Sequence, residues 1–384
     1  MKTPANSETP LSSSASLPAT SRAAVFSEVG RPLAIERFDL PDRLEPGALL
    51  CKVRMSTICG SDLHTIFGRR REPAPLILGH EILGEVVALG DGVDKSTSGA
   101  PLRVGDRVTW SIMASCGECF YCRKSLPQKC LRLIKYGHTC CREAPHLTGG
   151  YAEYIYLFPG TAVYHVPENL TDEIATPANC ALSTVINALE TAAFAPGETV
   201  LIQGAGMLGL NLIALCREAK AAKVIVTDAM PRRLEAASRF GADACLNPKD
   251  RPPDETAAAI RALSEGGHGV DVAFEVCGNR AAVDQAVQSL RTGGRYVIAG
   301  LVTPGSDLDI DGNQLTRKYL TVSGIHNYHP KHLDHALRFL EEHAHEYPYA
   351  DIVGATFPLD EINEAVRLAA TEEHVRVAVR TRSE

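Results

Sequence analysis

The most reactive side chains of this sequence crowd into one stretch, residues 59–81, which reads CGSDLHTIFGRRREPAPLILGHE. Cys59 and His80 stand near its two ends, and a thiol and an imidazole are ligands that zinc prefers. Between them, Ser61 and His64 carry groups that can take a proton from a bound molecule. The stretch therefore predicts an open site for a soft metal, with a path for a proton beside it.

Four cysteines form a second cluster in the segment CGECFYCRKSLPQKC, where two, two and seven residues separate successive thiols. Four thiolates suit tetrahedral zinc with every coordination position filled, and such closed sites are structural rather than catalytic. A redox CxxC pair would leave two thiols without a role, whereas an iron–sulfur cluster uses the same type of ligand. The spacing favours structural zinc over four independent thiols and leaves the iron–sulfur alternative open. The predicted ligands are Cys116, Cys119, Cys122 and Cys130.

A glycine-rich turn, GAGMLG at 204–209, follows the strand pattern ETVLIQ and precedes a helical run and a second strand, KVIVTD at 223–228. In this context Gly204 permits the tight turn, Gly206 lets the backbone approach a pyrophosphate, and Gly209 lets the helix pack on the strand. The amides at the helix N-terminus favour bound phosphates. The pattern predicts a dinucleotide site, with an ordinary α/β turn as the alternative. The candidate residues of the turn are Gly204, Gly206, Met207, Leu208 and Gly209.

An acid at the end of the second strand indicates which dinucleotide is bound. Asp228 lies 19 residues after Gly209. A carboxylate there accepts hydrogen bonds from the ribose hydroxyls and repels a 2′-phosphate, which favours NAD over NADP. Arg233, five residues further on, could also contact the ribose; a solvated charge on a helix surface is the alternative.

The pattern of residue types along the sequence predicts how these motifs are distributed over domains. Residues 1–22, rich in Ser, Thr, Pro and Ala, predict a disordered tail without a secretory signal. Short apolar strands between turns predict a β-rich domain over 23–181, with the thiol lobe at 113–132. Alternating strands and helices over 182–324 predict a doubly wound parallel sheet. The segment 325–384 is expected to return to the first domain.

Composition restricts the classes of partner. The chain has 384 residues, 45% of them hydrophobic, and a net charge of −7, which argues against a nucleic-acid or membrane-surface partner. No apolar run reaches the roughly 18 residues that a membrane-spanning helix requires. Twelve cysteines in a large chain without a signal, some at CxxC spacing, indicate metal binding in a reducing cytoplasm rather than disulfides.

Together these motifs resemble the zinc-dependent medium-chain alcohol dehydrogenase family. The resemblance covers about residues 23–382 and rests on CGSDxH at 59–64, GHExxG at 79–84, ANC at 178–180, the four-thiol lobe, and GAGMLG with Asp228. It implies an α/β fold, in which a GroES-like, β-rich catalytic domain is split by a doubly wound Rossmann domain that binds NAD. It also implies an enzyme that transfers hydride from an alcohol to NAD, with one catalytic and one structural zinc per chain, as a homo-oligomer (a dimer or tetramer).

The resemblance assigns the catalytic zinc to particular residues. Cys59, His80 and Cys180 would be the three protein ligands, which leaves a fourth position for water or the substrate oxygen. Glu81 would stand beside the metal and approach it during ligand exchange, and Asp62 would hold the second nitrogen of His80. A buried helix cysteine without a metal is the alternative for Cys180.

The resemblance also implies a proton path and a cofactor contact. Ser61 would bond the alcohol oxygen, and the ribose with His64 would pass the proton to solvent. Arg376, in the segment HVRVAVR, matches a family position that contacts the pyrophosphate. An ordinary surface histidine is the alternative for His64.

The substrate is the least constrained part of the prediction. In the family, the segment that holds Arg69, Arg70 and Arg71 runs past the substrate cleft, where guanidinium groups could bind an anion; a solvated turn is the alternative. CGSDLHTIFGRRR, KYGH at 135–138 and GIHNYHP at 324–330 resemble a bacterial group described as phosphonate-catabolism-associated alcohol dehydrogenases. This implies a small alcohol that bears a phosphonate. The rival hypotheses are a polyol or amino-alcohol dehydrogenase and a non-enzymatic zinc-binding protein.

Overall fold

The computed structural model describes residues 9–10, 17–308 and 310–381, and the chain forms two compact units. The first unit extends to Cys180 and includes His329–Ala344 and the segment from Tyr349 onward. The second unit consists of Ala181–Tyr328 and His345–Pro348.

The described residues form nineteen strands and eleven α-helices. The strands are β1 Thr9–Pro10, β2 Thr20–Phe26, β3 Ala34–Asp39, β4 Arg43–Leu44, β5 Leu49–Thr57, β6 Leu76–Ile77, β7 Glu81–Leu89, β8 Arg107–Ala114, β9 Ile134–Lys135, β10 Tyr154–Leu157, β11 Thr161–His165, β12 Thr199–Gln203, β13 Lys223–Thr227, β14 Ala244–Leu246, β15 Val270–Glu275, β16 Leu290–Ile298, β17 Thr321–Gly324, β18 Val353–Pro358 and β19 Arg376–Arg380. The helices are α1 Gly60–Ile66, α2 Phe120–Arg123, α3 Asp172–Ala175, α4 Ala181–Thr191, α5 Met207–Glu218, α6 Pro231–Arg239, α7 Pro253–Ala262, α8 Ala281–Ser289, α9 Gly312–Arg317, α10 Lys331–His343 and α11 Ile362–Ala370. Within the described part of the chain, no helix combines the length and the apolar character needed to cross a membrane.

The first unit is built on β-sheet. Its larger sheet has the order β11-β8-β7-β5-β19-β18, with β10 also paired to β5 and β9 to β8, and a smaller sheet has the order β3-β2-β6. Along β5, Cys51, Val53 and Met55 are buried while Lys52 and Arg54 point outward, as expected for a strand with one face on the core. Since β19 pairs with β5, the C-terminal strand belongs to this sheet.

The second unit contains a six-stranded sheet in the order β14-β13-β12-β15-β16-β17, and every ladder in it is parallel. Every residue of β12 is buried, because a strand with helices on both faces of its sheet has no solvent side. The chain runs outward from β12 to β14 and then resumes on the other side of β12 with β15. This reversal is the switch point where doubly wound sheets bind ligands. The predicted Rossmann sheet is confirmed.

Two predicted boundaries are wrong. The predicted tail, 1–22, ends too late, since Thr20–Arg22 already belong to β2 and pair with Arg37–Asp39. These polar residues join the strand because Ser21 is buried and Arg22 forms an ion pair with Glu153 at 2.8 Å. Residues 9–10 form β1, which pairs with β4, whereas the predicted disorder of 1–8 and 11–16 falls outside the described residues.

The predicted return segment, 325–384, also begins too early and is interrupted. Residues up to Tyr328, together with His345–Pro348, belong to the second unit. Tyr347 explains the interruption: its hydroxyl donates a hydrogen bond to Glu218 Oε1 at 2.6 Å, and its ring stacks on Phe240 with the centroids 6.1 Å apart.

Candidate active site

The register of two strands brings the predicted metal ligands together. β5 and β7 are antiparallel, and Thr57 at the end of β5 pairs with Glu81 at the start of β7. Cys59 follows β5 as the N-cap of α1, and His80 directly precedes β7, so both ligands leave the sheet at the same edge. Cys180 joins them as the C-cap of a 3₁₀ helix.

The four side chains form a compact donor set. One ligand atom from each of Cys59, His80, Glu81 and Cys180 lies within 4.8 Å of the other three. His80 and Glu81 are buried, and the two cysteines are half-buried. Two thiols and one imidazole, with a further position left for water or substrate, are the donor set of a catalytic zinc site. The residues present therefore fit the metal that the sequence predicts.

Asp62 orients His80. Its Oδ1 lies 3.3 Å from His80 Nδ1, and its Oδ2 accepts a hydrogen bond from the backbone N–H of Cys59 at 2.9 Å. His80 Nε2 is thus left facing Ser61 Oγ and Cys180 Sγ, each at 3.4 Å. Burial alone would lower the pKa of His80, but the Asp62 carboxylate outweighs it and raises this pKa to about 10. Because a metal binds the neutral ring, metal uptake must release this proton.

The two thiols titrate as a coupled pair. Cys180 hydrogen-bonds to Cys59, and this contact lowers the pKa of Cys59 well below its usual value, against the effect of burial. Arg376 and His80 favour the Cys59 thiolate further. The same hydrogen bond, together with burial, raises the pKa of Cys180 well above its usual value. Cys59 is therefore the thiol that ionises first.

Glu81 is paired with Arg376 rather than free at the metal site. The Nε and Nη2 atoms of Arg376 donate hydrogen bonds to the two carboxylate oxygens at 2.7 and 2.8 Å, and Thr57 Oγ1 adds a third at 2.5 Å. Both members of the pair are buried. The same guanidinium lies 3.7 Å from Cys59 Sγ. The pyrophosphate contact of Arg376 thus stays a prediction, whereas its contact with Glu81 was not predicted.

Ser61 and His64 both lie on α1. Ser61, in the first turn, directs Oγ to the nitrogen of His80 that faces the metal site, and His64 is half-exposed in the last turn. Burial, reinforced by the nearby charge of Arg69, lowers the pKa of His64. Among the described side chains, these two make no direct hydrogen bond with each other, so the predicted proton path needs a bridging group.

The three consecutive arginines have different surroundings. Arg69 and Arg71 are exposed, whereas Arg70 is half-buried and forms an ion pair with Glu72 at 2.6 Å. The same oxygen of Glu72 also lies 3.0 Å from His138 Nδ1. The charge of Arg70 is therefore already compensated, and the predicted role of Arg69 and Arg70 in substrate binding stays a prediction.

The four thiols of the lobe converge around the short helix α2. Their ligand atoms all lie within 4.8 Å of one another, and the sulfur atoms of Cys116 and Cys130 are 3.4 Å apart. The backbone N–H groups of Cys116 and Arg132 both donate hydrogen bonds to Cys130 Sγ at 3.3 Å. Four sulfurs at such distances fit one tetrahedral ion.

The glycine-rich turn of the second unit has the geometry that its sequence predicts. Gly204 adopts a φ of +108°, which favours glycine. A Cβ on Gly209 would lie 1.9 Å from the carbonyl oxygen of Gly204, so only glycine lets α5 pack so closely on β12. A Cβ on Gly206 would meet nothing within 4 Å, which leaves open space beside the turn. Met207 and Leu208 form the first turn of α5 and supply its free amides.

Asp228 holds two backbone segments at the edge of this space. Its carboxylate accepts hydrogen bonds from the backbone N–H groups of Ala205 and Met230 at 2.9 and 2.8 Å. Arg233 Nη1 lies 3.7 Å from the same carboxylate. The acid and the arginine that the sequence singles out are therefore neighbours.

Sequence reasoning missed Glu275, the last residue of β15. One of its carboxylate oxygens accepts from the backbone N–H groups of Cys277 and Gly278, and the other from those of Gly300 and Leu301, at 2.6 to 3.0 Å. It thereby joins the loops that follow β15 and β16 at the carboxyl edge of the sheet. A carboxylate that ends the apolar strand VDVAFE was the signal available in the sequence.

Two regions of the chain each match a known protein family. Residues 45–168 match the family described as alcohol dehydrogenase GroES-like domain. Residues 208–342 match the family described as zinc-binding dehydrogenase. The first match covers the β-rich region with most of the predicted zinc ligands, and the second covers most of the Rossmann sheet.

Similar proteins extend over nearly the whole chain. A 5-exo-hydroxycamphor dehydrogenase of Pseudomonas putida is 31% identical over 90% of this chain and 95% of its own length. An L-threonine 3-dehydrogenase of Francisella tularensis subsp. mediasiatica (strain FSC147) is 32% identical over 72% of this chain and 76% of its own length. The crystal structure of an alcohol dehydrogenase of Thermotoga maritima superposes with a TM-score of 0.88 at 31% identity, covering 94% of this chain and all of that one.

Sequence motifs, fold and relatives thus agree. The predicted GroES-like and Rossmann folds are confirmed, whereas the resemblance to the phosphonate-associated group stays a prediction. The chain belongs to the zinc-dependent medium-chain alcohol dehydrogenase family.

Proposed function

We propose that this protein oxidises a small alcohol to an aldehyde or ketone with NAD as the hydride acceptor, using a catalytic zinc held by Cys59, His80 and Cys180. The observation that carries the proposal is the placement of the Ser61 hydroxyl 3.4 Å from His80 Nε2, the nitrogen that would bind the metal. A proton acceptor for the substrate hydroxyl therefore lies beside the ligand set. The four-thiol lobe would hold a second, structural zinc.

The residues of α1 can move the proton that the substrate loses. When bound, zinc supplies a Lewis acid that makes the alcohol hydroxyl more acidic, and NAD supplies the hydride acceptor. Ser61 hydrogen-bonds the substrate hydroxyl, accepts its proton and at the same time passes its own hydroxyl proton towards His64, with the cofactor ribose as the bridging group that the family resemblance implies. His64 lies three residues further on the same helix face and, because its pKa is lowered, it is neutral at pH 7 and can accept a proton. Its partial exposure lets it release that proton to water.

The physiological substrate that we propose is a small alcohol with an anionic group, such as a phosphonate. The support is the positive charge of Arg69, an exposed residue just after helix α1 that lies close enough to His64 to lower the pKa of this histidine. Because the relatives include an L-threonine dehydrogenase, an amino-alcohol substrate is the second candidate. We further propose that the protein lies in the cytoplasm, since all twelve cysteines are free thiols. We also propose that it is a homo-oligomer, as the family resemblance implies.

A substrate panel tests the proposed reaction. Zinc-loaded protein and NAD are expected to form NADH with at least one of three alcohol classes: neutral, phosphonate-bearing and amino or polyol. Ser61→Ala is expected to lower kcat about 10²- to 10⁴-fold, the usual range for a lost proton-transfer group, while zinc content stays constant. Ser27→Ala, an exposed serine of the same unit, is the matched control. If no alcohol reduces NAD, or if Ser61→Ala retains full kcat, the proposal fails.

Asp228 is expected to set the preference for NAD. A hydrogen bond to a charged group contributes about 1.5–3 kcal/mol, so Asp228→Asn should lower the ratio of kcat/KM with NAD to that with NADP about 10- to 100-fold. Asparagine keeps one oxygen, which can accept from only one of the two amides of Ala205 and Met230, and it removes the charge that repels a 2′-phosphate. Glu235→Gln, the same change on an exposed residue of α6, is the control. An unchanged ratio in Asp228→Asn would contradict the assignment.

A further inference from the structure

The turn after β9 lies directly against the segment that carries a zinc ligand. Gly137 in this turn has a φ of +74°, and a Cβ on it would lie 2.8 Å from the carbonyl oxygen of Gly79 and 3.2 Å from Cβ of His80. The rings of His80 and His138 have their centroids 5.2 Å apart. The polar side chains at either end of this turn, Lys135 and His138, therefore belong to the surroundings of the metal site.

The ammonium group of Lys135 has no ion-pair or hydrogen-bond partner among the described residues. Lys135 itself is half-buried. Burial and the nearby charge of Arg70 lower the pKa of Lys135 to about 8, whereas the Cys59 and Cys180 thiolates attract its proton. Charged groups in such places are normally paired.

The carboxylate of Glu72, which acts on Lys135, is already shared between two other groups. Glu72 Oε1 lies 2.6 Å from Arg70 Nε and 3.0 Å from His138 Nδ1, so it serves one cation and one imidazole. Burial lowers the pKa of His138 well below its usual value, and the neutral ring uses Nδ1–H for Glu72. Its Nε2 is buried and has no hydrogen-bond partner in the described part of the chain. One donor cation and one free acceptor thus remain unsatisfied beside the ligand set.

The pairing of the charged groups around this turn indicates which class of ligand would pair with the ammonium group of Lys135. In the loaded site, a divalent metal would neutralise the charges of the Cys59 and Cys180 thiolates, and the ion pair of Arg70 and Glu72 has no net charge. The buried Asp62 carboxylate is held by the backbone N–H groups of Cys59 and Gly79 and by His80, which leaves Lys135 as the cation without a direct ionic partner in the ranges that the structure describes. Resting on the proposed alcohol oxidation, we infer that Lys135 binds the anionic group of the substrate, a phosphonate, phosphate or carboxylate on a small alcohol. The unpaired His138 Nε2 can accept a hydrogen bond from a protonated oxygen of that group or from a second hydroxyl.

The binding of simple anions that are not substrates tests this inference without turnover. Isothermal titration of zinc-loaded protein with methylphosphonate and with acetate gives the dissociation constants and separates tetrahedral from planar anions. Lys135→Met is expected to raise the methylphosphonate Kd about 10- to 100-fold, the range for a lost hydrogen bond between charged groups, and Lys135→Arg to restore most of the affinity. Lys95→Met removes an exposed lysine of the same unit and should change Kd less than twofold, since solvent and salt screen such charges.

Several outcomes would overturn the inference. One such outcome is a wild-type protein that binds neither anion at millimolar concentration, and another is a Lys135→Met variant that keeps the wild-type Kd. A third such outcome is that Arg69→Met, and not Lys135→Met, loses affinity. If Lys135→Met does not fold, as judged by melting temperature and zinc content, Lys135→Gln replaces it and the same comparison applies.

Turnover then separates the inference from the proposed function. The ratio of kcat/KM for an anionic over a neutral alcohol of equal length should fall at least tenfold in Lys135→Met. If alcohols are oxidised but this ratio does not depend on Lys135, the anion subsite is wrong and the dehydrogenase function stands. If no alcohol is oxidised but anion binding still depends on Lys135, the proposed reaction is wrong and the binding site stands.

Discussion

Cys59→Ala is expected to lower kcat/KM for alcohol oxidation about 10³- to 10⁴-fold and to remove one zinc ion of two per chain. Cys59 is the thiol that ionises first and the N-cap of the helix that carries Ser61, so the change removes a ligand and loosens the proton acceptor together. Lewis-acid stabilisation of the reacting oxygen contributes several kcal/mol, and each 1.36 kcal/mol is a factor of ten in rate. Atomic absorption gives the zinc content, and NADH formation gives the rate.

Two further cysteine variants test whether the effect of Cys59→Ala is specific to the proposed catalytic site. Cys245→Ala removes a half-buried thiol of the second unit that lies outside both ligand sets, so zinc content and rate should stay at the wild-type level. Cys119→Ala should remove the other zinc ion and lower the melting temperature of the protein, because the lobe has little apolar core of its own. The two-site assignment is wrong if Cys59→Ala and Cys119→Ala lose the same ion, or if Cys59→Ala keeps both ions and full activity.

The grouping of Cys59 and His80 was predictable because both lie in one short stretch, whereas Cys180 was assigned only through the family resemblance. Cys59, Asp62 and Ser61 lie within one turn of a helix, and His80 with Glu81 opens a neighbouring strand, so residue types and short spacings suffice. The glycine turn was predictable for the same reason, since Gly204 is needed for the positive φ of the turn and Gly209 for its close contact with the carbonyl oxygen of Gly204.

Contacts between residues far apart in the sequence were not predictable. The partner of Glu81 is Arg376, 295 residues away, and no local pattern shows which cation will meet a buried carboxylate. The insertion of Tyr347 into the second unit likewise depends on Glu218, on a distant helix. Lys135 entered the sequence analysis only as the first residue of KYGH, and no local pattern predicted its partial burial, because a lysine is normally solvated.

The parallel sheet was easier to predict than the β-rich unit. Buried parallel strands read as continuous apolar runs, as in TVLIQ and KVIVT, and their alternation with helices restricts the topology. In the first unit, by contrast, some strands carry polar residues whose side-chain partners come from distant parts of the sequence. Thr20–Arg22 illustrate this, since Arg22 is held in its strand by Glu153 and Asp360.

Arg376→Met is expected to lower the melting temperature by about 6 to 20 °C. Removing one member of a buried ion pair leaves the other charge unpaired and costs about 3–5 kcal/mol, and each kcal/mol shifts the melting temperature of a unit of this size by about 2–4 °C. Glu81 is fully buried and would keep only the hydrogen bonds from its neutral neighbours, such as Thr57. Calorimetry at pH 7 measures the shift, with Arg367→Met, which removes an exposed arginine of α11, as the control.

The pH dependence of that loss follows from Glu81. Burial raises the pKa of Glu81, and Arg376 is the main interaction that opposes this rise, so the Arg376→Met variant has a folded-state pKa above the unfolded one. A group with a raised pKa binds protons more tightly when folded, so lowering the pH through that pKa stabilises the variant relative to the wild-type protein. The difference in melting temperature should therefore shrink between pH 7 and pH 5. A difference that grows in this range would mean that Glu81 is not the charge left unpaired.

A double variant distinguishes the pairing of Arg376 with Glu81 from the cofactor contact that the family resemblance implies. Arg376→Met with Glu81→Gln removes both charges, and replacing a whole buried pair is often nearly neutral, so most of the melting temperature should return. If Arg376 also contacts the pyrophosphate, the KM for NAD stays raised in the double variant, because restored stability does not restore a lost cation. If KM returns together with the melting temperature, Arg376 acts only through Glu81. If neither returns, the ion pair is not the main contribution of Arg376 to the fold.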